Sequence, residues 1–336
     1  MHIVIVIDSN RAFLKQCMVM LYGLCTHHTN PWILHIIHTP EAKDIFTTKW
    51  ELLSHFVGTT QVTLQYYEVN FQRIQDLWLH TYNDLPLTTY FRLLIPALLD
   101  PSINRCIYMD GDMLVRGSID TLWNLPMSDD QWIAGVMTNV LTSYMANIHA
   151  TQYINAGMIV INLNAWRTHY LGNQIIEFIA QHPQWLEWSQ NIMGDQCWIN
   201  ALCQWHILPV DPLWNATPLW RNPDYIDNNE IRKIVWYSDI QIRQAQQQPT
   251  IIHFAWSKKP ASWMSFHPWK LEYYRMLFAT GLIDWTDFIK AMIHIITYPL
   301  RIDRPIYQGL QQIRRFIYHQ SSQSKKEVLK STYYQT

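Results

Sequence analysis

The chain has 336 residues, of which 49% are hydrophobic and 15% charged, and its formal net charge is -1. This is enough apolar material for one large domain or two small ones, and it excludes a chain that is disordered over most of its length. The near-zero charge removes the global basic field that nucleic-acid binding draws on, so no nucleic-acid partner is expected and any polyanion has to be met locally.

The first element is "HIVIVID" (2–8), apolar on both faces and therefore a buried strand. Asp8-Ser9-Asn10 follows as a helix cap for the amphipathic "RAFLKQCMVMLYGLC" (11–25). A second buried strand at "WILHIIHT" (32–39) leads through a long helix-period stretch to the β-rich "QVTLQYYEV" (61–69), then "TTYFRLLIPALL" (88–99) and the strand "RCIYMD" (105–110). Farther on, "INAGMIVINLNAWR" (154–167) joins a polar turn to another buried strand and a helix start, and "IIHFAWSKKP" (251–260) is an apolar strand opening into a basic loop. The alternation predicts an α/β fold with a mainly parallel sheet. Ligands in such sheets sit beyond the carboxyl ends of the strands, where Asp8, Asn10, Asp110 and Asp112 all fall.

Asp110-Gly111-Asp112 supports two readings. In extended chain, carboxylates at i and i+2 project from one face and reach one cation together, with Gly111 giving room between them. Asp-Gly is also the favoured two-residue hairpin turn, here between Ile107–Met109 and Met113–Val115. The five cysteines (17, 25, 106, 197 and 203) are odd in number and lack CxxC spacing, which favours a reducing cytoplasm. The N-terminal "IVIVI" is too short for a signal-peptide core, and no stretch reaches the ~18–20 apolar residues of a membrane span. Secretion and a transmembrane anchor are therefore not expected. The chain is rich in Trp (17) and Tyr (18), flat faces that suit both packing and sugar rings.

Taken in order, "VIDSN", "TTYFRLLIPALL", "CIYMDGDMLVRGSIDTLW", "YINAGMIVINLNAW", "GDQ", "LPVDPLWN" and "HFAWSKKP" give the chain its family resemblance. It resembles the retaining glycosyltransferases of family 8, particularly the bacterial lipopolysaccharide galactosyl- and glucosyltransferases. The resemblance implies a single GT-A type domain over 1–275, with a Rossmann-like nucleotide-sugar-binding half at 1–117 and an acceptor-side half at 118–275. By position, Asp110 and Asp112 match the DxD pair that binds Mn2+ or Mg2+, and His253 the third protein ligand. Lys259, beside Lys258, matches the lysine that approaches the donor phosphates. Asp8 and Asn10 match residues around uracil and ribose, with helix capping as a second use of the same loop. Arg92 of TxYxR, Gly111 and the NAG residues Asn155, Ala156 and Gly157 fall on the donor diphosphate-sugar. Asp195 is expected to hydrogen-bond a sugar hydroxyl, and Gln196 to lie beneath the anomeric carbon.

Three positions depart from the family pattern. Cys197 replaces the second aspartate of DQD, Trp256 replaces a glycine three residues after the metal histidine, and Arg11 stands where close relatives place a tyrosine against uracil. A cation–π plane from Arg11 would serve the same base. The resemblance implies transfer of a hexose, galactose or glucose, from a UDP-sugar to a saccharide or lipid-linked saccharide acceptor such as lipopolysaccharide core. A nucleotidyltransferase using the same carboxylates and a catalytically silent UDP-sugar-binding or membrane-surface scaffold are the competing readings. Trp185, Trp188, Trp205, Trp214 and Trp220 are candidates for an acceptor platform, or core.

Residues 276–336 lie outside the catalytic resemblance. In "IYQGLQQIRRFIYH", Ile306, Leu310, Ile313 and Ile317 recur at helical spacing, and from residue 301 on seven basic residues stand against Asp303 and Glu327. This suits either an amphipathic helix on an anionic membrane surface, at the inner face of a bacterial inner membrane, or a helix packed on the domain.

Overall fold

A computed structural model describes residues 1–57, 61–69, 86–138, 152–169, 194–217, 236–255, 259–260, 267 and 269–297. The expected strand–helix alternation is present. Strand β1 (His2–Ile7) is followed by α1 (Arg11–His27), β2 (Trp32–His38), α2 (Ala42–Val57) and β3 (Val62–Glu68). A 3₁₀ segment (Leu87–Leu94) and the short α3 (Ile95–Leu98) lead into β4 (Arg105–Met109). Ile3, Val4, Ile5, Leu34, His35 and Ile36 are all fully buried, so both faces of β1 and β2 are covered, the two-sided burial that continuous apolar strands require. Asn10 caps α1, its side-chain oxygen accepting from the amides of Ala12 and Phe13 at 3.0 and 3.2 Å.

After β4 come β5 (Met113–Val115), α4 (Asp120–Trp123), β6 (Ile133–Met137), β7 (Ile154–Asn162), α5 (Leu163–Thr168), α6 (Asp195–Cys203) and β8 (Ile207–Pro209). A 3₁₀ turn (Pro212–Trp214), α7 (Asp239–Gln247), β9 (Ile251–His253), α8 (Lys270–Ala279) and α9 (Trp285–Thr297) complete the described chain. Seven strands form one sheet in the order β3-β2-β1-β4-β7-β6-β8, and β5 and β9 form a separate antiparallel pair. Within the larger sheet β7 alone runs against the others, antiparallel to both β4 and β6. The sheet is therefore mainly parallel, as the alternation predicts.

Two consequences place the site. Because β7 is reversed, its first residues lie at the carboxyl edge of its neighbours, so Asn155-Ala156-Gly157 sits in a strand rather than in the polar turn expected from sequence. The amide of Asp110 donates to the Gly157 carbonyl at 2.7 Å, which ties the two motifs together. Asp110-Gly111-Asp112 does not close a hairpin, since β4 pairs with β1 and β7 while β5 pairs with β9. It carries the chain from one sheet to the other. A Cβ on Gly111 would run into Cys17 Sγ on α1, so the glycine is fixed by the close approach of that helix.

Helix α8 passes through residue 275 without a break, so the expected boundary falls inside it. Its Tyr273, Tyr274, Met276 and Leu277 pack with Val19 of α1, Leu114 of β5, Ile252 of β9 and Phe254. Lys15 of α1 reaches Asp284 and Asp287, each at 2.6 Å. The 306–319 helix pattern and the basic tail lie outside the described residues. So do Trp185, Trp188, Trp220, Trp256 and Lys258.

Candidate active site

A cavity of about 590 Å³ opens at the carboxyl edge of the large sheet, a size suited to a ligand well beyond a monosaccharide. Eleven residues singled out from the sequence line it: Asp8, Asn10, Arg92, Asp110, Asp112, Asn155, Gly157, Asp195, Gln196, His253 and Lys259. They come from the β1–α1 link, the 3₁₀ segment, the β4–β5 link, β7, the start of α6, β9 and the loop after it. Arg11, Gly111 and Ala156 are not in the lining. Arg11 is exposed on the first turn of α1, Gly111 is buried under that helix, and Ala156 acts through its backbone. Asp8 and Asn10 do both things expected of them: Asp8 accepts from the Asn10 amide at 2.9 Å, Asn10 caps α1, and both face the cavity.

Asp110, Asp112 and His253 bring one ligand atom each within 4.8 Å of one another. His253 Nε2 lies 3.4 Å from Asp112 Oδ1 and 3.7 Å from Asp110 Oδ2. Its Nδ1 lies 3.1 Å from Asn155 Oδ1 and 3.0 Å from Asn215 Oδ1. Burial lowers the His253 pKa to about 4 against the pull of Asp110, so the ring is neutral at pH 7. With amide oxygens around Nδ1, the single ring proton belongs there, and Nε2 turns a lone pair toward two carboxylates. Three converging acceptors with no proton among them fit a divalent cation, and the oxygen-rich set with one imidazole suits manganese or magnesium. Gly157 is packed against this cluster: a Cβ there would strike the His253 ring and come within 2.8 Å of Asp110 Oδ2.

Two cations balance the carboxylates. Lys259 Nζ contacts Asp112 Oδ2. Arg92, 6% exposed, donates to the Ala156 carbonyl at 2.8 Å and the Thr89 carbonyl at 3.1 Å, and pairs with Asp195 Oδ2 at 2.7 Å and Asp110 Oδ1 at 3.3 Å. Its guanidinium lies over the Tyr108 ring at 4.5 Å. Burial opposes the charge on Arg92, yet Asp110 and Asp195 outweigh it and hold its pKa above the ordinary arginine range. For Asp195 the balance runs the other way: burial raises its pKa to about 6, with Arg92 pulling it down.

Gln196 is held by the same backbone. Its Oε1 accepts from the Ala156 amide at 3.0 Å and its Nε2 donates to the Tyr153 hydroxyl at 3.3 Å. Because a backbone N–H only donates, the orientation of this amide is fixed. Cys197, at the departing DQD position, touches the Tyr153 hydroxyl at 3.2 Å, so the substitution places a thiol in the hydrogen-bonded chain behind Gln196.

Residues not singled out from sequence complete the lining, among them Phe13, Gln16, Thr88, Thr89 and Tyr108. Tyr108 donates to Asp110 Oδ1 at 2.6 Å, which its position two residues before the carboxylate on the same strand face would have suggested. Trp205 and Trp214 do not line the cavity. Trp205 is 72% exposed at the amino end of β8, the edge of the sheet away from the site.

Residues 2–265 match the family described as Glycosyl transferase family 8. The chain belongs to that family. Among relatives, general stress protein A of Bacillus subtilis is 29% identical over 194 residues, 56% of this chain and 64% of that protein. A lipopolysaccharide 1,2-glucosyltransferase of Escherichia coli is 23% identical over 156 residues, 45% of this chain and 44% of that protein. The match thus spans less than two thirds of either relative. An active-site mutant of LgtC superimposes with a TM-score of 0.69 at 17% identity, covering 86% of this chain and all of the other. A galactosyltransferase LgtC complex with donor and acceptor sugar analogues gives 0.66 at 18% identity, again covering 86% of this chain. The family 8 chain therefore has the LgtC-type fold.

Proposed function

We propose that this chain is a metal-dependent retaining hexosyltransferase that moves galactose or glucose from a UDP-sugar to a hydroxyl of a saccharide acceptor of the lipopolysaccharide or lipooligosaccharide core class. The observation that carries this reading is the convergence of Asp110, Asp112 and the bare Nε2 of His253 in a cavity that also holds Lys259. Family membership supports glycosyl transfer, and the E. coli relative supports the acceptor class.

Asp110, Asp112 and His253 would hold manganese or magnesium, which supplies positive charge for the leaving diphosphate. Lys259 adds a point charge at the same mouth, and Asp8 and Asn10 offer polar contacts for the nucleoside. Asn155 has its oxygen engaged by the Gly157 amide and by Asn215, so it presents its NH2 to the sugar as a donor. Asp195 presents a carboxylate whose charge Arg92 sustains. Gln196 is neutral and its oxygen is held by Ala156, so it stabilises positive charge on the anomeric carbon rather than attacking it. In the proposed step the acceptor oxygen bonds to that carbon on the face from which the diphosphate departs, as the carbon–phosphate-oxygen bond breaks and the acceptor's hydroxyl proton passes to the departing diphosphate oxygen. Configuration is retained without the two-carboxylate arrangement of a retaining hydrolase. The test is UDP release from UDP-galactose and UDP-glucose, with and without manganese. Release from one donor only with metal is expected; metal-independent release, or pyrophosphate release from a nucleoside triphosphate, overturns the reading.

We also propose that the protein works on the cytoplasmic face of the membrane, docked on anionic lipid through residues 276–336. Among the described residues no helix is long and apolar enough to cross a membrane. Helix α9 instead exposes Trp285, Phe288, Met292 and Ile296 at helical spacing, just before the basic tail. Deleting the chain from residue 300 should abolish binding to anionic vesicles and leave binding to neutral ones unchanged; equal binding by the truncated protein removes the proposal.

A further inference from the structure

Asn215 is fully buried directly after the 3₁₀ turn, beside β9 in space, and it does not line the cavity. It nevertheless contacts both His253 and Asn155. Their hydrogen-bonded unit is assigned from a single backbone group. The Gly157 amide can only donate, and it lies 3.1 Å from a side-chain atom of Asn155, which must therefore be the oxygen. That oxygen lies 2.9 Å from a side-chain atom of Asn215, which must then be the NH2. The other Asn215 atom is the oxygen, and it lies 3.0 Å from His253 Nδ1. An amide oxygen only accepts, so Nδ1 carries the proton and Nε2 does not.

The backbone holds the unit at both ends. Gly157 pairs through its carbonyl with the Asp110 amide, the Ala216 amide donates to the Ile251 carbonyl, and the His253 amide donates to the Ala216 carbonyl. Asn215 is thus fixed next to β9 and cannot turn its amide over without breaking both side-chain contacts. With the opposite orientation its NH2 would face Nδ1–H and its oxygen the Asn155 oxygen, setting donor against donor and acceptor against acceptor.

We infer that Asn215 is a positioning residue: with Asn155 it holds His253 in the Nδ1–H form, so that Nε2 offers a lone pair to a cation shared with Asp110 and Asp112. The inference rests on the metal-dependent reading above and adds a residue to it. Outer hydrogen-bond partners of this kind set the orientation and basicity of a ligating histidine, and their loss costs roughly 10–100-fold in metal affinity. The same contact locks Asn155 with its NH2 toward the cavity, so one buried side chain serves both the metal and the donor sugar.

The test is manganese affinity measured from the electron paramagnetic resonance signal of free Mn2+, with folding followed by circular dichroism. Asn215→Asp keeps an oxygen facing Nδ1–H, and its affinity should stay within a few-fold of the wild type. Asn215→Leu removes that oxygen, and its affinity should fall by roughly 10–100-fold. Equal affinity in both variants, or an equal loss in both, overturns the inference while the metal-dependent reading stands; a wild type that binds no manganese removes both. Should Asn215→Leu fail to fold, the nitrogen-15 spectrum of metal-free, histidine-labelled wild type decides alone. A protonated Nδ1 and bare Nε2 at His253 support the inference, and a protonated Nε2 refutes it.

Discussion

Two buried histidines, His35 and His253, share a pKa lowered to about 4, and in both burial is the first cause. His35 lies on β2 in a ladder across β1, β2 and β3, where both ring nitrogens are used. Tyr67 donates to Gln65 Oε1 at 2.9 Å, so it accepts from His35 Nδ1 at 3.0 Å, and His35 Nε2 accepts from His2 Nδ1 at 2.9 Å. His253 uses one nitrogen and leaves the other facing two carboxylates. A depressed pKa therefore does not distinguish a functional histidine from a structural one here. What sets His253 apart is its unspent lone pair, because burying an acceptor with only acceptors around it is unfavourable unless a cation arrives.

The comparison can be broken most forcefully at the carboxylates. Asp110→Ala and Asp112→Ala should each lower metal-dependent UDP release by more than ~100-fold while leaving the circular dichroism spectrum unchanged. His35→Gln, at the closed ladder, should leave the same rate within a few-fold. Retained activity in either aspartate variant would erase the distinction drawn between the two histidines.

A second contrast concerns stability. Arg92 is a buried cation held between Asp110 and Asp195, so Arg92→Met leaves two carboxylates without their partner. The expected loss is about 3–5 kcal/mol, read from urea unfolding. A loss below about 1 kcal/mol would show that the pair contributes mainly to ligand binding.

The smallest effect is the pH dependence of the ladder. His35 has a folded pKa of about 4 against an unfolded value near 6.5, so the unfolded chain binds more protons between those values. Its contribution is fully present above pH 6.5 and is lost as pH falls toward 4. His253 titrates in the same window, so the wild type should lose stability on both accounts. His35→Gln should flatten part of that slope, by on the order of 2–3 kcal/mol across the window, and an unchanged slope would place the acid sensitivity elsewhere.

Much of this was legible in the chain. The apolar runs of β1, β2 and β4 read as buried strands, and Asn10 before an amphipathic stretch reads as a helix cap. Eleven of the candidate residues converge on one cavity, among them Asp8 and Asp110, which directly follow the apolar runs of β1 and β4. Arg11, Gly111 and Ala156 are adjacent to lining residues in sequence but turn elsewhere: Arg11 onto the outer face of α1, Gly111 beneath that helix, Ala156 into the backbone contacts that hold Arg92 and Gln196. Tyr108 was within reach of a period-two argument. Asn215 was not, since the motif that ends in it says nothing of what stands behind His253.

Local periodicity and motif order are properties of neighbouring residues, so the α/β class, the carboxyl-edge location of Asp8, Asp110 and Asp112, and the family of the chain could all be read without coordinates. The tertiary structure alone decided the reversed direction of β7, the passage of Asp110–Asp112 from one sheet to another, and the proton on His253. Those depend on pairing between segments far apart in the chain: Asp110 with Gly157, Met113 with His253, and Asn155 with Asn215. No local pattern encodes which backbone amide will meet which side-chain oxygen, and here one such meeting fixes the chemistry of the site.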